Sequence, residues 1–459
     1  MKALKAMSRL CDWIMFGVLA AAASAASGQT TLAWEQTKYF QYNIENVVTS
    51  AGASGAVNVK VIFSVTNPNN GTAWNLKTDA PFLTANGGNL SLDFAWDAAE
   101  FTNTGSANST LSPVPTPTLG AGAAIPVQVR GIQGTAGVPC SSNLDCPGVD
   151  KLTNRYRVTA TLTPRPFTKA PTTAAAVIEG RPVCVGLPGC PTVAPFPNVP
   201  VRTEVKTFTL APSESAIVPN PRRQIVSFEA KCVKCHSGKP NITSGEVIPR
   251  LAMHGANRNE NLAACVICHN PNQTDVPYRQ NVYGVNGPET PVNFTYMIHS
   301  IHSAKFREDV GPYVVIGRSG SINDYSSVNF PGELRNCTNC HVQTTGGRWS
   351  FELPLSSGVL GTTTVTKSNY LNLDGTGRSV DVDPNNDTKI SPIAAACSSC
   401  HTKKEVREHM IRKGGASFNT TQAQIGVAVR ERCASCHGPG RDKDVRKVHQ
   451  ISSSGSSHD

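Results

Sequence analysis

The pattern Cys-x-x-Cys-His occurs five times in the second half of the chain. The copies are Cys232-Val-Lys-Cys235-His236, Cys265-Val-Ile-Cys268-His269, Cys337-Thr-Asn-Cys340-His341, Cys397-Ser-Ser-Cys400-His401 and Cys433-Ala-Ser-Cys436-His437. Cysteines at i and i+3 lie on one face of a helical turn, so both thiols can bond to the vinyl groups of a single porphyrin. The next residue, histidine, then reaches the iron as proximal ligand. This is the attachment signature of a c-type haem. One copy alone could be half of a zinc site. Five copies predict five covalently attached haem c groups.

The chain has 11 histidines, five of them in the motifs. The others are His254, His299, His302, His409, His449 and His458. His458 stands in a Ser/Gly tail, residues 451–459, where a flexible end is expected. The remaining five match the five irons in number, and bis-histidine ligation of every haem is the expectation. His299 and His302, at i and i+3 of a predicted helical run, project from the same side toward two neighbouring haems. Methionine is the competing axial ligand, with Met253, Met297 and Met410 near candidate histidines. Six-coordinate iron has no open position for substrate, so the cluster reads as an electron conduit without a catalytic residue. Two alternatives remain open at this point: reduction of a small oxyanion at one open haem, and a cytochrome filament in which His458 ligates a haem of the next subunit.

The elements that hold these residues follow from composition. Residues 1–28 read as a secretory signal: Lys2, Lys5 and Arg9, then an apolar run from Trp13 to Ala23, then Ala23-Ser-Ala25 as cleavage site. The run is too short to span a bilayer, and Cys11 precedes it, whereas a lipoprotein cysteine would follow. An exported protein without a transmembrane span is expected, at the cell surface or, alternatively, in the periplasm. Of the 15 cysteines, ten lie in motifs and Cys11 leaves with the signal. Cys140, Cys146, Cys184 and Cys190 remain, and two local disulfides, Cys140–Cys146 and Cys184–Cys190, are the simplest pairing. Residues 221–459 carry 27 Lys and Arg against 20 Asp and Glu. Haem propionates would offset most of that excess, so nucleic-acid binding is not inferred.

Residues 30–218 lack histidine and alternate β-branched runs with Gly/Pro/Asn turns, as in Val57–Val65, Leu90–Phe94, Tyr156–Thr163 and Val205–Leu210. An antiparallel β-sandwich or split barrel is predicted there. Residues 219–450 change to short helical pieces and irregular loops, a mainly irregular pentahaem domain. A strand-like insertion, Thr362–Thr366, interrupts it. After it, Asp381-Val-Asp383-Pro-Asn385-Asn-Asp387 places oxygens at alternate positions, as a calcium loop does. The run lacks the glycine and distal glutamate of an EF-hand, and a solvated acidic turn is the preferred reading.

Stretches between the motifs carry a resemblance: Pro221-Arg-Arg-Gln-Ile-Val226, His254-Gly-Ala-Asn-Arg258, Cys265-Val-Ile-Cys-His-Asn-Pro271 and Phe294-Thr-Tyr-Met-Ile-His-Ser-Ile-His302. Together they resemble one pentahaem half of the OmcA/MtrC-type outer-membrane decahaem cytochromes. The resemblance implies a split-barrel domain ahead of the haems and bis-histidine iron. It further implies electron flow to extracellular metal oxides or flavins. Redox partner cytochromes and an outer-membrane porin–cytochrome complex are the partners it suggests. Three departures stand out: five motifs instead of ten, no lipobox cysteine, and two Cys-x5-Cys pairs in place of one wider pair.

Overall fold

The structure, a computed structural model, describes residues 32–101, 126–164, 170–237, 251–276, 289–317, 321–344, 347–352, 359–366 and 385–451. The predicted export signal with Cys11, residues 102–125, residues 381–384 of the acidic turn and His458 lie outside them.

The β-branched runs of the first region form two antiparallel sheets. One has the order β1 (Gln41–Ala51), β2 (Val57–Asn67), β7 (Tyr156–Leu162), β6 (Val138–Pro139), with β3 (Thr72–Ala73) on β2. The other runs β5 (Val127–Arg130), β4 (Asn89–Trp96), β8 (Thr173–Arg181), β9 (Glu204–Thr209). Alternate side chains turn inward from both. Val59, Val61, Phe63 and Val65 of β2 share one core with Leu90, Leu92, Phe94 and Trp96 of β4, none more than 1% exposed. Each such burial stabilises the fold by about 1.5–3 kcal/mol. Residues 213–218 close one corner. Ser213 and Ala216 bond to Thr49 and Val47 of β1, while Ala216 and Val218 bond to Thr209 and Thr207 of β9. The sandwich thereby gains a barrel-like seam. Both predicted disulfides are present, Cys140–Cys146 and Cys184–Cys190.

The second region is built from short pieces: α1 (Leu262–Cys268), α2 (Phe294–His302), α3 (Pro392–Ser398), α4 (Lys404–Arg412), and small hairpins. The predicted insertion is one of these hairpins, Thr362–Val365 paired with Thr388–Ile390. Among the described residues no helix is long and apolar enough to cross a membrane.

The two regions meet on the outer face of the second sheet. Alternation in Leu90-Ser-Leu-Asp-Phe94 predicts solvated Ser91 and Asp93, yet they are 4% and 1% exposed. The cover is α1, whose Ala264, Val266 and Ile267 pack on Ala95, Ala98, Phe101, Ala175 and Val177. Small side chains on the sheet let the helix approach. Backbone bonds extend the seam, with Gly180 N donating to Asn257 O at 2.9 Å and Thr203 N to Asn259 O at 3.1 Å. Gly180 has φ 123°, and a Cβ there would stand 2.2 Å from Asn89 O, so only glycine fits. Arg258 reaches from the second region to the first. Its Nη2 donates to Glu179 Oε1 at 2.8 Å and lies 3.7 Å from Asp93 Oδ2.

Candidate functional site

Each Cys-x-x-Cys-His run folds into the same helical turn. The histidine N–H donates to the carbonyl of the first cysteine at 2.8 Å for His236 and His437, and at 2.9 Å for His269, His341 and His401. The first and third motifs make this turn as 3-10 segments, Cys232–Lys234 and Cys337–Asn339. The second lies in α1 and the fourth begins within α3, while the fifth forms α5 (Ala434–His437). Local caps hold the turns. Asn261 Oδ1 accepts from Ala263 N at the start of α1, and Glu431 accepts from Ile393 N and Ala394 N at the start of α3. All ten motif cysteines are free, whereas the four other described cysteines are paired.

Every motif histidine faces one histidine of the second set. The ring centroids are 6.2 Å apart for His236–His302, 6.2 Å for His269–His254 and 6.1 Å for His341–His299. They are 5.8 Å apart for His401–His449 and 6.2 Å for His437–His409. Two imidazoles bonding one metal ion from opposite sides at about 2 Å place their centroids about 6 Å apart. Each gap therefore has the width that a haem iron requires. Among the described residues no three His, Cys, Asp or Glu side chains gather as a metal cage. A structural zinc takes four protein ligands. A two-histidine set suits an iron whose other four ligands come from a porphyrin.

The pairing crosses the sequence. His299 and His302 share α2, but His299 faces the third motif and His302 the first. Of the methionines weighed as ligands, Met410 is buried among Ile390, Ala394, Ala395 and Ala416, and Met253 is 47% exposed.

Hydrogen bonds fix ring tautomers. Nδ1–H donates to a backbone carbonyl from His269 (Val292, 3.0 Å), His302 (Ile298, 2.9 Å) and His437 (Lys443, 2.9 Å). His341 Nδ1 lies 3.1 Å from Ser350 Oγ, which itself donates to Ile225 O and so accepts from the ring. A proton on Nδ1 leaves the Nε2 lone pair for a metal. Burial, with nearby cationic groups adding, holds His254 down to about 3 and His299 and His341 down to about 4. These imidazoles are neutral at neutral pH, as ligation demands. Ser350 carries no sequence signal, because its role depends on a contact nine residues from the motif histidine.

The motifs stand next to one another in an order that differs from the sequence. Burial raises the thiol pKa of Cys265, Cys232, Cys337 and Cys397, and a neighbouring motif's sulfur adds to each. The neighbours are Cys232 for Cys265, Cys340 for Cys232, Cys400 for Cys337 and Cys433 for Cys397. Lys231 Nζ donates to Thr338 O at 2.7 Å, tying the first motif to the third. The attachment turns thus run second, first, third, fourth, fifth. At the second, α1 is held against the sheet, and Arg258, Glu179 and Asp93 surround Cys268 electrostatically. Sequence reading gave none of these three a part. Of the acidic turn considered for calcium, Asp387 is buried and no cation cage forms among the described residues.

A family model described as outer membrane cytochrome MtrC/MtrF-like, domains II/IV, matches residues 223–450. Among solved structures, MtrC from Shewanella baltica OS185 is similar at 16% identity and a TM-score of 0.46, over 88% of this chain and 53% of that one. The chain spans about half the length of that cytochrome. No curated protein matches the chain. Residues 223–450 thus form a domain of the outer membrane cytochrome MtrC/MtrF-like family.

Proposed function

We propose that the chain carries five haem c groups, each held by two thioethers and two histidines, and works as an exported electron conduit of anaerobic respiration. The observation that carries this is the one-to-one facing of motif and second-set histidines across about 6 Å. Bound haem supplies reversible one-electron chemistry at iron. The residues of this chain do the rest. Cys232, Cys265, Cys337, Cys397 and Cys433, with their i+3 partners, fix each macrocycle in place. His236, His269, His341, His401 and His437 would each hold an iron together with its facing partner, His302, His254, His299, His449 and His409 respectively. Two histidines on each iron would leave no position for substrate, which favours transfer between sites over catalysis at any one of them. The run of neighbouring attachment turns supports a single path from the second motif, under the sheet, to the fifth.

Extracellular acceptors, metal oxides or flavins, and redox partner cytochromes belong to this reading through the family. An open-haem reductase would need one of the five histidine pairs to break.

The test is spectroscopic. A pyridine haemochrome assay should return five haems per chain, and EPR of the oxidised protein should be wholly low-spin. His299→Ala should convert about one fifth of the haem to high-spin with the haem count unchanged. A count clearly below five, or a high-spin signal in the unmodified protein, overturns the reading. Protease accessibility on intact cells decides between surface and periplasm.

A further inference from the structure

The charge of residues 221–459 is not spread evenly. Residues 403–447 hold 11 Lys and Arg against 5 Asp and Glu, while the rest of 221–459 holds 16 against 15. Nearly all the basic excess thus lies with α4 and the fifth motif. Ten of those cations are exposed: Lys403, Lys404, Arg407, Arg412, Lys413, Arg430, Arg432, Arg441, Lys443 and Lys447. The exposed carboxylates of the same stretch are Glu405 and Asp442. Glu431 and Asp444 are turned to backbone N–H groups at helix starts.

Six of these cations, Arg412, Lys413, Arg432, Arg441, Lys443 and Lys447, flank one site. Arg412 and Lys413 follow His409 at the end of α4, and Arg432 precedes Cys433. Arg432 N donates to Gly414 O at 2.7 Å, which joins the two segments. On the other side, His437 Nδ1 donates to Lys443 O, and Lys447 Nζ donates to Arg441 O at 3.1 Å. Propionates do not account for the excess. Lys403 pairs with Glu308 and Arg412 with Glu408, and the two haems of the fourth and fifth motifs bring four propionates. Eight exposed cations stand against those four propionates and two exposed carboxylates.

The patch also has apolar members. Ile411 is 45% exposed, Val427 71% and Val448 49%, each within a few residues of the cations. Apolar points ringed by charge are the composition of a protein–protein contact, whereas a small anion needs only the charge. The opposite end of the run of motifs is covered by the sheet through α1.

We propose that the surface around the fifth motif is a docking face for an electron-transfer protein whose own redox centre is ringed by carboxylates. The proposal rests on the haem reading above, and its test separates the two. Like charges hold a cationic oxide surface or a second copy of this face away, and opposite charges speed encounter by about 10- to 1,000-fold at low salt.

The experiment is stopped-flow reduction of the oxidised, haem-loaded protein by two donors with one redox group. One is flavodoxin hydroquinone, an acidic protein; the other is free flavin mononucleotide hydroquinone, a small anion. The expected result is a flavodoxin rate that falls about tenfold or more from low to high salt. Lys413→Glu/Arg432→Glu/Lys443→Glu should lower it about tenfold at low salt and leave it unchanged at high salt. The triple Gln variant should give a smaller loss in the same direction and serves if the Glu variant does not fold. Lys151→Glu, on the β region, should have no effect. An unchanged flavodoxin rate in the triple variants overturns the proposal. So does an equal response of free flavin, which would mark a small-anion site. Haem count and low-spin spectrum, measured on the same samples, report on the haem reading independently.

Discussion

The two regions solve the problem of a core in different ways. Residues 41–218 enclose one continuous apolar cluster, with Phe63, Phe82, Phe94, Trp96 and Tyr156 all nearly inaccessible. Among the described residues the second region has smaller apolar clusters, such as Ile390, Ala394, Ala395, Met410 and Ala416. Many of its fully buried residues are polar: Asn270, Asn272, Thr274, Asp275, Ser300, Ser303, Thr363 and Lys389 are at most 4% exposed. That chain is a hydrogen-bonded shell around five histidine gaps. On the proposed reading porphyrin faces supply the missing apolar contact, so folding and cofactor attachment are one event there.

The largest expected effect follows directly. Chain made without haem attachment should keep slow amide exchange in residues 41–218 and lose it throughout 223–450. Hydrogen–deuterium exchange with mass spectrometry reads both regions in one sample. Equal protection in both halves would mean that the second region has a sufficient core of its own.

A smaller effect tests whether the regions are independent. Arg258 is the cation between buried Glu179 and Asp93, whose side chains are 5% and 2% exposed. Removing one partner of a buried ionic group costs about 3–5 kcal/mol, mainly because a charge is left without compensation. Arg258→Ala should therefore lower the urea stability of the haem-loaded protein by that amount and loosen exchange in β4, β8 and α1 together. A loss below about 0.5 kcal/mol would show the two regions to be joined only by backbone and apolar contact.

The same comparison explains what the sequence makes legible. The strands, the disulfides and the five attachment turns are local: alternation, a six-residue cysteine separation and an i, i+3 motif each contain their own geometry. The five spare histidines are legible by counting. Their partners are not, because α2 sends His299 to the third motif and His302 to the first, a crossing set by tertiary packing. The burial of Asp93 is not legible for a related reason. Period-2 alternation places it outward correctly, but the outer face is covered by another region. Two sheet carboxylates buried beside a haem motif are a property of the assembled chain.

That buried pair gives the smallest effect. Burial first, then repulsion from Asp93, pushes Glu179 up to about 9, and burial raises Asp93 as well. Unfolded carboxyls titrate at about 4. Between those values the folded chain holds a proton that the unfolded chain has released, so stability falls as pH rises. The contribution is present in full below about pH 4 and is lost as pH climbs through the folded pKa of about 9. Glu179→Gln keeps the shape of the protonated group and cannot titrate. Between pH 6 and 9 its urea stability should fall less steeply than that of the unmodified protein, by up to about 1 kcal/mol per pH unit. Asp93 Oδ1 is buried without a hydrogen-bond partner, which a proton shared with Glu179 would satisfy. Parallel curves for the two proteins would mean that both carboxylates stay ionised under Arg258 alone. The contact between the regions would then be a plain ion pair, lost with salt and indifferent to pH.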